Sequence, residues 1–173
     1  MVQAFTILRK KYLWSAELYL AGAKESDIRD ALRERQIRVE EVDWQKIHLL
    51  GDLGSEKLTD YYNLCDVFCM PSYFEAYGLV FAEALTYGLP CIGRDKFAMS
   101  EFIEDGCTGR LISGEDAEEL ALDLWEVLQD PKYREEVERR REWYLREYSW
   151  DKVAQRICSV MEKNERDKDQ YRS

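Results

Sequence analysis

The absences in this chain narrow its function before any motif is read. No apolar run approaches the ~20 residues that a membrane-spanning helix needs, and the N-terminus lacks the apolar core of a secretory signal. The default expectation is a cytoplasmic location with no transmembrane segment. Histidine occurs once, at His48, where the start of a strand-like run makes it a structural residue rather than a general base. The five cysteines are an odd number without a C-x-x-C pair, which excludes a disulfide framework or a zinc site as the organising feature. Basic residues are outnumbered 25 to 35, for a net charge of −10, and that balance argues against nucleic acid as a partner. Arg9-Lys10-Lys11 and Arg139-Arg140-Arg141 read as solvated helix faces. No internal repeat or low-complexity block breaks the chain.

What is present is one domain's worth of alternating elements, 173 residues with 46% hydrophobic content, enough to bury a core. Short apolar runs predict strands at 17–22, 47–51, 67–70, 90–93 and 109–112. Between them, helical spacing predicts helices over 25–35, from Ser55 with that serine as N-cap, after Gly78, and briefly at 99–103. Residues 1–12 fit a helix better than a strand, with Ala4, Phe5, Leu8 and Tyr12 on one face. Three more helices follow from Asp116, from Tyr133 and from Trp150, the last amphipathic to Met161. Strands alternating with helices imply an α/β fold, a Rossmann-like doubly wound parallel sheet with flanking helices. Ligands in such sheets bind beyond the carboxyl ends of the strands.

One stretch stands at that edge. Pro71-Ser72-Tyr73-Phe74-Glu75-Ala76-Tyr77-Gly78 leads from a buried strand into the helix Leu79-Val80-Phe81-Ala82-Glu83-Ala84-Leu85, which Gly88 and Pro90 end. A helix start at a glycine-containing loop offers unpartnered N–H groups with partial positive charge, so phosphate is the natural ligand. Seven residues separate Glu75 from Glu83, and around them Pro71, Ser72, Gly78, Ala84, Gly88 and Pro90 stand in register.

This stretch resembles the E-x7-E signature of retaining GT-B glycosyltransferases, glycosyltransferase family 4 above all. The likeness extends through Tyr19-Leu20-Ala21-Gly22, Leu49-Leu50-Gly51, Ser100-Glu101-Phe102-Ile103-Glu104-Asp105-Gly106, Thr108-Gly109 and Tyr148-Ser149-Trp150, and so covers nearly the whole chain. It implies that residues 1–162 are the nucleotide-sugar-binding C-terminal half of a GT-B fold, followed by a polar tail, 163–173. It further implies that Glu75 supports the reacting sugar and that Glu83 accepts from a ribose diol. Tyr77, Gly78, Leu79 and Val80 would offer backbone N–H groups to the diphosphate, with Gly51, Asp52 and Leu53 at the base. The donor would be a UDP-, GDP- or ADP-sugar, with no other cofactor and no metal required. Asp167-Lys168-Asp169 has the form of a metal-binding D-x-D but sits in the polar tail, where it reads as chance.

The chain also departs from the family. The first strand, with the arginine and lysine that hold the diphosphate, is missing ahead of the first helix, and so is the acceptor-binding half. Arg94 and Lys96, at the same sheet edge, are candidate phosphate-binding substitutes. The lost strand would leave two unpaired edges. Either residues 1–8 fill the gap, or the neighbouring strands close together, or another chain supplies the strand. Such a domain is expected to be inactive alone, acting with a separate acceptor-domain protein or by self-association. The alternative is a non-catalytic module that binds a protein partner through its uncovered face and final helix.

Overall fold

The computed structural model describes residues 1–170, with side chains placed through Met161. In chain order the elements are α1 (Val2–Lys11), β1 (Leu18–Ala21), α2 (Glu25–Glu34), β2 (Ile47–Gly51), α3 (Ser55–Leu64), β3 (Phe68–Cys69), α4 (Leu79–Thr86), β4 (Cys91–Arg94), α5 (Met99–Phe102), β5 (Gly109–Ile112), α6 (Ala117–Gln129), α7 (Lys132–Glu147) and α8 (Trp150–Gln170). Residues 171–173 lie outside the described residues, and the backbone of 163–170, expected as tail, continues α8.

Local chemistry accounts for most boundaries. The N-terminal segment is a helix, burying Val2, Ala4, Phe5 and Leu8 on one side and ending on Arg9, Lys10 and Lys11 against the negative end of its dipole. Asp116 caps α6 by accepting the Glu118 N–H at 2.9 Å. Ser55 is the first residue of α3 and not its cap; the extended residue before the helix is Gly54, and no side chain caps it. Two 3₁₀ turns, Val39–Glu41 and Trp44–Lys46, fill the α2–β2 connection, where no periodicity predicted structure. They form because Val39 and Val42 are buried and the Trp44 indole donates to the Val39 carbonyl at 3.1 Å.

Every strand pair is parallel, but the strands form two ladders, β2–β1 and β3–β4–β5, that share no pairing. Two of the three arrangements expected for the inner strand edges are therefore not seen. Residues 2–8 are helical, and β1 does not pair with β3. Helix α1 ties the ladders together instead. Its Ala4 and Leu8 pack with Ile92, Ile112 and α6, while Val2 and Phe5 pack with Leu32, Val39, Val42 and Ile47. On the opposite face α3, α4, α5 and α7 enclose a core around Tyr62, Phe81, Leu85, Cys91, Met99 and Val137.

Strand β4 is buried along its whole length, with Cys91 facing one core and Ile92 the other, as the two-residue repeat of a strand requires. Its neighbour must come close. A Cβ at Gly109 would stand 1.7 Å from the Cys91 carbonyl oxygen, a backbone atom that cannot rotate away. Gly109→Ala is expected to destabilise the chain by about 3 kcal/mol, the upper end of ordinary overpacking, read as a lower urea midpoint.

The β1–β2 ladder is pinned by a polar cluster. Glu17 accepts from Lys46 at 2.8 Å, lies 2.9 Å from His48 Nε2, and accepts from the Tyr19 hydroxyl at 3.3 Å. Hydrogen bonds from Lys46 and His48 hold the Glu17 carboxyl at about 2, well below its ordinary value of 4.5. A depressed carboxyl favours the folded state above the unfolded pKa, and that contribution fades as pH falls toward 2. Glu17→Gln is therefore expected to lower Tm at pH 7, with the difference from the parent shrinking between about pH 5 and pH 2.

Candidate functional site

The carboxyl ends of the strands converge on glycines. Gly22 after β1 donates its N–H to the Gly51 carbonyl at 2.7 Å, and both adopt left-handed backbone, φ +73° and +61°. A Cβ at either would meet nothing within 4 Å, so the backbone here borders open space. Asp52 next to it is exposed and Leu53 half-buried.

Across the edge, the β3–α4 loop turns at Gly78, φ +77°, which opens α4. Glu75 Oε1 accepts the Gly78 N–H at 3.1 Å, so its half-buried carboxylate folds over the positive end of the helix and keeps Oε2 free. The N–H groups of Leu79 and Val80 precede the first intrahelical bond and lack helical acceptors. Tyr77 and Leu79 are exposed beside them.

Glu83 is exposed although its sequence neighbours are apolar. It lies on α4 between buried Ala82 and Ala84, and the helix turns it outward toward α3. There the Tyr62 hydroxyl donates to Oε2 at 3.2 Å and leaves Oε1 unbonded among the described residues. Burial and the adjacent Glu83 carboxylate both raise the Tyr62 pKa, so it stays a donor. Nothing in the sequence marked Tyr62 for this contact.

Arg94, expected to face a phosphate, is only 6% exposed. Its Nε donates to the Pro71 carbonyl at 3.1 Å and its Nη1 to the Gly114 carbonyl at 2.6 Å, while its guanidinium lies 4.5 Å from the Tyr73 ring centre. It thus fastens the β3–α4 loop to the loop after β5. Lys96 is exposed, and its neighbour Phe97 takes a left-handed φ of +56°, rare for a bulky residue. The Phe97 ring meets exposed Phe74 edge-on at 5.3 Å, a pairing across two loops that the sequence did not foreshadow.

Two concavities, of about 950 and 230 Å³, lie elsewhere, one along Leu13, Pro90 and the α6–α7 turn, the other between α5 and α7. The glycine edge is an open ledge. Among the described residues no cluster of three or more His, Cys, Asp or Glu could hold a metal ion, and no helix is long and apolar enough to cross a membrane.

Parallel strands with helices on both faces define a Rossmann-like α/β domain. Comparison with known proteins makes it specific: residues 1–143 match the family described as glycosyl transferases group 1, and the chain belongs to that family. A D-inositol 3-phosphate glycosyltransferase of Kribbella flavida is 32% identical over 98 residues, 57% of this chain and 23% of that protein. An uncharacterised glycosyltransferase of Methanocaldococcus jannaschii, MJ1607, is 28% identical over 84% of this chain and 37% of its own length. The chain thus spans between about a fifth and two fifths of these curated relatives. Among solved structures, the pneumococcal O-GlcNAc transferase GtfA, in complex with UDP and GlcNAc, superposes with a TM-score of 0.69 at 25% identity, covering 92% of this chain and 32% of that one. Anabaena Alr3699/HepE, in complex with UDP and glucose, gives 0.75 at 18% identity over 94% of this chain and 44% of that one. The fold is a GT-B glycosyltransferase domain.

At the loop itself, a Cβ on Gly78 would press within 3.1 Å of the Phe81 ring and 3.3 Å of Glu75 Cγ, in a backbone region that L-residues enter at a cost. Gly78→Ala is expected to cost about 1–2 kcal/mol in urea unfolding and to free Glu75 from its cap.

Proposed function

We propose that this chain is the donor-binding half of a retaining glycosyltransferase of family 4 type, taking a hexose from a nucleoside diphosphate sugar. The observation that carries it is the opening of α4, where Glu75 closes over Gly78 while Leu79 and Val80 present free N–H groups. A diphosphate seated there gains the helix end's positive potential, which strengthens as charge moves onto the leaving oxygen. Glu75 keeps Oε1 on Gly78 and offers Oε2 to the donor sugar, where its negative charge supports an oxocarbenium-like centre. Glu83 Oε1, free of Tyr62, accepts from a ribose hydroxyl, and Gly51, Asp52 and Leu53 border the base across the ledge. Tyr77 adds a further backbone N–H. Lys96 reaches the phosphates, whereas Arg94 acts from beneath by fixing the loop.

The names of the relatives support a sugar donor, and the complexes of GtfA and HepE support uridine as the base; GDP and ADP remain to be compared directly. Nothing in this scheme requires a metal. With one cleft wall the chain turns over no sugar alone, and a separate acceptor-binding half completes it. A second reading, a non-catalytic module that binds a protein partner, draws on α8, where Trp150 is 85% exposed and Ile157 and Val160 share its apolar stripe.

Calorimetry with UDP, GDP and ADP separates the two. One nucleotide is expected to bind below millimolar Kd, with EDTA leaving the affinity unchanged and Glu83→Ala weakening it at least about tenfold, a loss of about 1.4 kcal/mol. Absence of binding by all three at millimolar concentration favours the second reading.

A further inference from the structure

The smaller concavity, about 230 Å³ between α5 and α7, is walled by four aromatic side chains. Tyr144 and Tyr148, four residues apart at the end of α7, hold their rings parallel to within 7°, with centres 6.2 Å apart. Trp143 stands across both, at 73° to one and 78° to the other. The buried Phe102 of α5 closes against Tyr148 at 5.4 Å. These rings form a corner of aromatic surface, and Trp143, 45% exposed, stands at its mouth. The charge beside them is negative and uncommitted at one group: the exposed Glu101 carboxylate lines the concavity and has no partner among the described residues. Arg140, the cation in the wall, is already engaged. It donates to Glu104 Oε2 and to Cys107 Sγ at 3.1 Å, and its Nε lies 3.5 Å from Glu136. Burial, with Tyr144, Tyr77 and Glu101 nearby, pushes the Tyr148 hydroxyl up to about 12, so that ring stays neutral near pH 7.

We propose that this corner binds a small quaternary ammonium ion, a ligand separate from any nucleotide on the ledge. Aromatic rings attract a cation through their electron-rich faces, and here they line the hollow from both helices. A primary ammonium brings three N–H donors, for which the corner holds one carboxylate without a partner. An alkylated ammonium has no N–H to satisfy, so aromatic carbon meets its methyl groups and Glu101 meets its charge. A sugar fits the site less well. Its hydroxyls need polar partners, and the guanidinium that could serve them is already bonded to Glu104 and Cys107. The proposal stands whether or not the ledge binds a nucleotide.

The test uses the full chain with choline chloride as probe, its uncharged isostere carrying carbon in place of nitrogen, and glucose, all at matched ionic strength. Calorimetry reads the affinities, and indole N–H resonances locate binding, with Trp14 and Trp44 as references outside the concavity. Choline is expected to bind with a Kd of about 1 mM and to move the Trp143 signal but neither reference, with the isostere at least about tenfold weaker. Trp143→Ala should weaken choline about tenfold, and Glu101→Gln, which leaves the packing intact, about threefold, with both variants folded by circular dichroism. Flotation with phosphatidylcholine vesicles separates two sources of this chemistry. Choline binding without flotation assigns a free ligand, flotation lost in Trp143→Ala assigns a lipid headgroup, and both uphold the site. The proposal falls on any of four results. The isostere binds as tightly as choline, which makes the corner merely apolar. Glucose binds more tightly and moves Trp143, which makes it a sugar subsite. Glu101→Gln leaves choline affinity unchanged. Finally, choline at about 20 mM leaves the Trp143 signal in place.

Discussion

The structure depends on the burial of β4. Four residues, Cys91 to Arg94, lie between two helical layers, and each layer reads the strand from its own side, Phe81 and Val137 against Cys91, Ala4 and Leu124 against Ile92. A strand buried on both faces must have every backbone group paired, so its neighbours are held in strict register. β5 meets that demand by placing Gly109 where any side chain would collide with Cys91. β3 meets it with only two paired residues. The last residue of β4, Arg94, then carries the order of the core outward to the loop that bears Glu75, through its bond to the Pro71 carbonyl.

That linkage explains how a loop with two hydrogen bonds of its own is held in place. Between Met70 and α4 the chain has Ser72 bonded back to Met70 and Gly78 bonded to Glu75, and little else of its own. Its position comes from Arg94 below and from Tyr73, whose ring lies on that guanidinium and whose hydroxyl accepts from Arg35 at 3.3 Å. The arginine that sequence position suggested for phosphate contact is thus a brace for the loop that bears Glu75. A guanidinium suits this task because its planar donors can serve two carbonyls at once while its face stacks on an aromatic ring.

What was legible in the sequence follows from how local each signal is. Buried parallel strands announce themselves as apolar runs, and all five were placed within a residue or two of their observed ends. The loop and α4 were legible because Gly78, Gly88 and Pro90 punctuate them chemically. Contacts between distant residues carried no such mark. Tyr62 donating to Glu83 joins residues 21 apart, Phe74 meeting Phe97 joins two loops, and Arg35 reaching Tyr73 joins positions 38 apart. The exposure of Glu83 is hard to read for a related reason: its neighbours in sequence are apolar, but helical rotation sends it outward while Ala82 and Ala84 turn in. The left-handed backbone at Phe97 has no residue-type signal at all, since bulky residues ordinarily avoid it.

The division into two ladders gives these pieces a common logic. Helix α1 reaches both ladders and so holds them together by side-chain packing alone, where a continuous sheet would use backbone pairing. Packing of this kind tolerates sliding more readily than a hydrogen-bonded register does, because apolar contact is non-directional. The ledge is divided in the same way: Gly22 and Gly51 belong to the first ladder, and Glu75, Gly78 and Arg94 to the second. Direct ties across the division, such as Arg35 to Tyr73, are exposed and weak. Any ligand long enough to touch both sides would therefore bridge two units joined by helix packing, α1 on one face and α3, through Tyr61 and Tyr62, on the other.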